Sequence, residues 1–350
     1  MRFIKSFLIF VLWLGLAVLA SGLYVAEAYP KVGPADPSLK IATTPQRVSR
    51  GRYLTLHVAE CLTCHSGRDW TRFGAPVIPA TRFAGGEGIF DHRLGLPGHF
   101  YPGNLTPFGL GRYSDGELVR AMRCGVTKEG RPMTPRMPYR NYRQLGQEDL
   151  YSIIAYLRSL EPIAKPTPLS RPDWSYAWRL RLQPTEAGPF PTPPDDRDPV
   201  KRGRYLMVMA RCDTCHTPSD RWGRPVPSLY LAGGAPFPCL DLSKPGWPAL
   251  PTGRVHSGNL TPDLETGLGG WTQDAFVAMF ASWRGKNGAA RALAVANGDF
   301  NSFMPWLEYA DMRDEDLRAV YVYLRSLAPV KHAVVKFEAP VPVSSEASQW

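Results

Sequence analysis

The 350-residue chain has no glycine-rich loop of the kind that cradles nucleotide phosphates and no recognisable nucleophile–His–acid set. Neither nucleotide-driven chemistry nor triad hydrolysis has a footing in the sequence. Clustered basic residues are also lacking. Lys and Arg outnumber Asp and Glu by 41 to 31, a net charge of +10, but the excess is scattered along the chain. Scatter speaks against a nucleic-acid partner and leaves an acidic protein or an anionic membrane face as the natural counterpart. Period-two alternation of apolar and polar residues is missing, so an all-α fold with long loops is expected. Cysteine and histidine are few, at 6 and 7.

These few residues organise the chain. Cys61-Leu62-Thr63-Cys64-His65 returns as Cys212-Asp213-Thr214-Cys215-His216. C-x-x-C-H is the signal for covalent attachment of a c-type haem. Two thiols three residues apart can add to the two vinyl groups on one porphyrin edge, and the next residue brings an imidazole to the iron. A helical turn puts all three on one face. A zinc knuckle or a redox dithiol would use the C-x-x-C pair alone, whereas both copies carry the histidine. Two covalently bound haem c groups are therefore expected. Cys61, Cys64, Cys212 and Cys215 form the thioethers, and His65 and His216 are axial iron ligands. Four propionates lower the net charge to roughly +6. The remaining Cys124 and Cys239 are either two separate buried thiols or a disulfide.

The first 28 residues read as a signal peptide or membrane anchor. A positive start, Met1 to Lys5, precedes an uncharged run from Ser6 to Ala26, long enough to span a bilayer. Ala26-Glu27-Ala28 offers a cleavage site, so the segment is either an uncleaved anchor or a removed signal. Either choice exports the remainder, to the periplasmic side of the cytoplasmic membrane or into the soluble periplasm. A spacer occupies 29–46, a first domain 47–163, a proline-rich linker 164–199, a second domain 200–330 and a tail 331–350. Within the linker, Trp174, Trp178, Leu180 and Leu182 suit a short helix packed on a domain. His332 in the tail reads as solvated.

The two domains are an internal repeat. Gly51-Arg52-Tyr53-Leu54 matches Gly203-Arg204-Tyr205-Leu206, and Gly103-Asn104-Leu105-Thr106-Pro107 matches Gly258-Asn259-Leu260-Thr261-Pro262. Met137-Pro138-Tyr139 matches Met304-Pro305-Trp306, and Tyr-Leu-Arg-Ser-Leu recurs at 156–160 and 323–327. Helical spacing marks Leu150, Ile153, Ile154, Leu157 and Leu160, then Leu317, Val320, Tyr321, Leu324 and Leu327. Acidic residues open both stretches and suit the positive end of a helix.

The repeat also nominates the second axial ligands. Met137 and Met304 precede the shared Tyr156 and Tyr323 by the same interval, each followed by a stiffening proline. Met133 aligns with Phe300 and cannot be a shared ligand. The competing histidines, His57, His92, His99 and His256, have no matched positions. Asn104 and Asn259 either approach a haem edge or cap turns.

Taken together, C-x-x-C-H after a glycine-bearing helix, a Met-Pro-aromatic loop and a closing Tyr-Leu-Arg helix resemble the class I cytochromes c. The added Gly-Asn-Leu-Thr-Pro segment and Gly-Leu-Gly-Gly-Trp-Thr at 267–272 make the chain similar to the cytochrome c subunits of membrane-bound alcohol, aldehyde and sugar dehydrogenases. Those subunits usually carry three haem domains; this sequence has two. The resemblance implies two tandem domains, each gripping its haem between His and Met where first and last helices cross. It implies single-electron transfer from a donor such as a dehydrogenase to a respiratory acceptor, a terminal oxidase or small cytochrome. Catalysis then lies in a partner. A di-haem peroxidase, needing one open iron site, is the alternative.

Overall fold

The structure is a computed structural model and describes residues 2–88, 90–221, 223–240, 249–286, 292–293 and 299–340. Residues 341–350 of the tail lie outside the described residues. Helices dominate. In order they are α1 (Arg2–Ala28), α2 (Pro45–Tyr53), α3 (Cys61–His65), α4 (Pro107–Leu110), α5 (Asp115–Cys124), α6 (Tyr139–Tyr142) and α7 (Gln147–Arg158). There follow α8 (Trp174–Arg181), α9 (Pro199–Met209), α10 (Cys212–His216), α11 (Gln273–Ala281), α12 (Trp306–Tyr309) and α13 (Asp314–Arg325). Short strands are β1 (Gly98–His99), β2 (Arg171–Pro172), β3 (Pro236–Leu240), β4 (Ala249–His256) and β5 (Phe337–Glu338).

The chain divides into two compact units, one of Met1–Lys40, Tyr113–Arg143 and Pro172–Pro189, the other of the rest. In the first unit α1 carries an exposed apolar surface over most of its length. α5 begins with a capping box. Ser114 Oγ accepts from the Glu117 N–H and Glu117 accepts from the Ser114 N–H, which satisfies two backbone donors that the helix start would leave bare. α5 packs on α6. Arg143 Nε donates to the Arg123 carbonyl at 3.2 Å and Arg123 donates to the Pro189 carbonyl at 3.0 Å, so two guanidiniums gather loop ends that would otherwise expose carbonyls.

The second unit holds both C-x-x-C-H motifs and is built on two helix crossings, α2 on α7 and α9 on α13. Proline at the first turn and a capping side chain, Thr44 or Asp198, start α2 and α9. The crossings need glycine. A Cβ at Gly51 would overlap the Ser152 carbonyl, and one at Gly203 would overlap the Ala319 carbonyl, both far inside the 3.0 Å that real contacts respect. Ser152 and Ala319 are repeat-equivalent, so one device is used twice. Of the predicted helical stripes, Leu150, Ile153, Ile154 and Leu157 on α7 and Leu317, Val320 and Leu324 on α13 are buried, while Tyr321 is half-buried. Leu160 and Leu327 fall just beyond the helix ends, since Ser159 and Ser326 are the caps.

A small antiparallel sheet departs from the expectation of helices alone. β4 is its centre, with Phe237 opposite Val255 in β3, and Val255 opposite Phe337 in β5. Pro236 and Pro238 in β3 and Gly253 in β4 interrupt any period-two pattern, which hid these strands in the sequence.

Candidate haem-attachment site

Each C-x-x-C-H motif forms one short helix preceded by a residue in the left-handed region, Glu60 at φ 42° and Arg211 at φ 58°. That reversal starts a new helix direction after the Leu54–Val58 turn that follows α2, or just after α9, so the cysteines and histidine leave the preceding helix axis. Glu60 and Arg211 also form an ion pair with each other, and Glu60 is buried. The two residues are repeat-equivalent, each standing just before its motif.

The surroundings of the two motifs correspond bond for bond. His65 Nδ1 donates to the Gly103 carbonyl and His216 Nδ1 to the Gly258 carbonyl, each at 2.7 Å. A carbonyl can only accept, so the proton sits on Nδ1 and the Nε2 lone pair is left for a metal. Main-chain bonds secure the helix ends: Gly85 N–H to the His65 carbonyl at 3.0 Å, and Gly233 N–H to the His216 carbonyl at 2.8 Å. Phe83 N–H reaches Ser66 Oγ and Leu231 N–H reaches Thr217 Oγ1, both at 3.0 Å.

Electrostatics favour ligation over other uses of these residues. Burial holds both imidazoles below their ordinary value, partly offset by the carbonyl bonds, so they stand neutral as a metal ligand must. Burial, with the Asp213 charge second, pushes the Cys212 thiol up to about 12. A redox dithiol needs the opposite shift. Among the described residues no group of three or more His, Cys, Asp and Glu is gathered to hold a metal by itself. The motif residues fit a porphyrin-borne iron: an oriented imidazole four positions after the first cysteine, in two copies.

Asn104 and Asn259 cap turns. Each side-chain oxygen accepts from the backbone and hydroxyl of Thr106 or Thr261, and each amide donates onward, to the Ile163 carbonyl at 2.9 Å or the Val330 carbonyl at 2.8 Å. They tie the segment after the closing helix back to the loop that holds the histidine.

Both Met-Pro loops fold alike locally. The N–H two residues on returns to the methionine carbonyl at 2.8 Å in each, and the short helices α6 and α12 follow. Met137 and Met304 are half-buried. The competing histidines have other attachments. His57 Nδ1 meets the Glu308 carbonyl at 3.1 Å, and burial lowers its pKa. His99 lies 3.7 Å from Asp91 and stacks edge-on with His92, while His256 lies 4.0 Å from Glu338. His57 sits on a π-turn, Leu54–Val58, absent from α9. Ten positions separate Gly51 from Cys61 but nine separate Gly203 from Cys212, and the extra residue is absorbed as this wide turn. His332 is not simply solvated: it is half-buried, with Nδ1 donating to the Ala232 carbonyl at 3.0 Å. Cys124 and Cys239 are buried unbridged thiols.

The chain is similar to known proteins over most of its length. The chain is 28% identical over 319 residues to the fructose dehydrogenase cytochrome subunit of Gluconobacter japonicus, covering 87% of this chain and 57% of that one. It is 28% identical over 309 residues to the cytochrome c subunit of a quinone-type alcohol dehydrogenase of Gluconacetobacter polyoxogenes, with 83% and 58% covered. This chain is a homologue of dehydrogenase cytochrome c subunits. A di-haem c-type cytochrome of Cereibacter sphaeroides is 26% identical over 253 residues, 67% of this chain and 80% of its own. No protein-family model matches. The chain spans just under three-fifths of the length of the dehydrogenase subunits. The relatives are named as cytochrome c subunits and as a di-haem cytochrome.

Proposed function

We propose that this chain is an exported di-haem cytochrome c that passes single electrons from a dehydrogenase partner to a respiratory acceptor. The observation that carries the reading is the duplicated motif whose two histidines are fixed alike, Nδ1 to a glycine carbonyl at 2.7 Å. Cys61 and Cys64 would hold one haem c and Cys212 and Cys215 a second. His65 with Met137, and His216 with Met304, would be the axial pairs. The domains are the two repeats, 47–163 and 200–330, each of the class I cytochrome c type.

Haem c supplies a one-electron couple, and a methionine ligand sets it at a higher potential than a second histidine would. The chain supplies the rest. The glycine carbonyls keep each imidazole in one tautomer and one orientation. Half-buried Met137 and Met304 on proline-stiffened loops would supply the remaining axial ligand, which would exclude water and substrate and limit rearrangement between oxidation states. Substrate oxidation then belongs to the partner. The two relatives named as dehydrogenase subunits support that assignment. The apolar α1 supports placement at the periplasmic face of the cytoplasmic membrane.

The test is reduction of the purified holoprotein in stopped flow. Alcohols, aldehydes and sugars alone should leave it oxidised, and the same substrates with a dehydrogenase recovered from the native membrane should reduce both haems. Rapid, saturable peroxide turnover by the unmutated protein would replace this reading with that of a di-haem peroxidase.

A further inference from the structure

α8 has its faces the wrong way round for a soluble helix. Successive residues turn by about 100°, so Trp174, Trp178 and Leu182 share one side while Leu180 points the opposite way. Leu180 is buried, at 2% exposure, whereas Trp174, Trp178 and Leu182 are 80%, 39% and 50% exposed. The sequence leads one to expect Trp174, Trp178, Leu180 and Leu182 together in packing; of these Leu180 is buried, while Trp174, Trp178 and Leu182 keep an open side.

The position of that face identifies its occupant. α8 lies against the C-terminal end of α1 within the same compact unit. The Trp178 ring is the neighbour of Gly22, 3.7 Å from where a Cβ would stand. Arg181 donates to the carbonyls of Ala26 and Tyr29, both at 2.9 Å, and so caps the last turn of α1. Within α1 the run Ser6–Ala26 carries no charge and is mostly apolar, long enough to cross a bilayer. Its end at Ala28 is therefore the level of the headgroups. Tryptophan prefers that level, with its ring in the acyl boundary and its N–H toward water. Arg179 lies over the Tyr176 ring at 5.8 Å and adds a positive charge on α8, whose N-cap is Asp173.

We propose that α8 is a membrane-interface helix, with Trp174, Trp178 and Leu182 seated in the bilayer leaflet that α1 leaves on the exported side. Beyond anchoring, this second contact fixes the chain's rotation about α1, which a single span leaves free. The proposal rests on α1 being a retained membrane span.

The test uses the full-length holoprotein in nanodiscs containing phosphatidylglycerol, with a nitroxide on Trp174→Cys, Val18→Cys or Asp195→Cys. The label at 174 should collide more often with dissolved oxygen than with a water-soluble nickel chelate, as the label at 18 does. The label at 195 should show the reverse ratio. If 18 reads as lipid and 174 reads like 195, the interface helix is wrong and the anchor stands. If 18 also reads as water, the anchor reading fails and carries this one with it. A label at 174 shielded only after a second protein is added would assign the face to a protein partner and overturn the proposal.

Discussion

The Tyr53 hydroxyl donates to Asp316 at 2.5 Å, and its repeat-equivalent Tyr205 donates to Asp149, the equivalent of Asp316, at 2.8 Å. Each repeat thus lends a tyrosine from its opening helix to the closing helix of the other. Arginines join within each repeat, Arg50 to Asp149 at 2.8 Å and Arg202 to Asp316. Asp316 is fully buried, so its charge depends on both partners. The exchange gives the repeats a reason to fold together.

Removing one partner should cost more than removing a whole bond. Tyr53→Phe should destabilise the second unit by about 1.5–3 kcal/mol, the range for a hydrogen bond to a charged group. Asp316→Asn, which removes the charge that both Tyr53 and Arg202 bind and leaves the half-buried Arg202 with Asp196 alone, should cost about 3 kcal/mol. Denaturant unfolding of the single and double variants checks this. Additive losses for Tyr53→Phe and Asp316→Asn would mean that the bond carries no energy.

The same tyrosines predict an alkaline limit. Burial, with the neighbouring carboxylate second, raises the pKa of Tyr53 and Tyr205 above the ordinary value of 10. Above pH 10 the unfolded chain loses these protons while the folded chain keeps them, so the unfolded state binds fewer protons and stability falls as pH rises. The contribution is complete below pH 10. Thermal unfolding from pH 8 to 11 should show this decline, and the variant Tyr53→Phe with Tyr205→Phe should flatten it. An unchanged slope would exclude these two groups as its source.

Met137→Ala and Met304→Ala should each remove about half of the far-red sulfur-to-iron absorption of the oxidised protein and lower one reduction potential. Met133→Ala should leave both unchanged. The reverse pattern would discard the repeat alignment of the Met-Pro loops.

Much of this arrangement was legible from local pattern. The helical stripes of α7 and α13 and the recurrence of Gly51 and Gly203 lie within short stretches, and each kept its place. What stayed hidden depends on residues distant in the chain. The acids opening α7 and α13 read as helix-end charges, yet Asp149 and Asp316 bind tyrosines 56 and 263 residues away. Glu60 meets Arg211 across 151 positions of the chain, which no local pattern shows. The π-turn was recoverable from the one-residue difference before Cys61. The open aromatic face of α8 was not, since spacing shows which residues share a face but not which face packs.

The N-terminal segment should be retained. Membranes washed with salt and carbonate should still hold a chain whose N-terminal peptide contains Met1. A mature chain starting at Tyr29 in the soluble exported fraction would show that α1 is a cleaved signal.

The account turns on two haems held by two motifs. The most direct measurement is the mass of the denatured protein, made in a host with haem-attachment machinery. It should exceed the polypeptide by two haem groups, and Cys212→Ala with Cys215→Ala should leave one. A mass equal to the bare polypeptide would contradict the account.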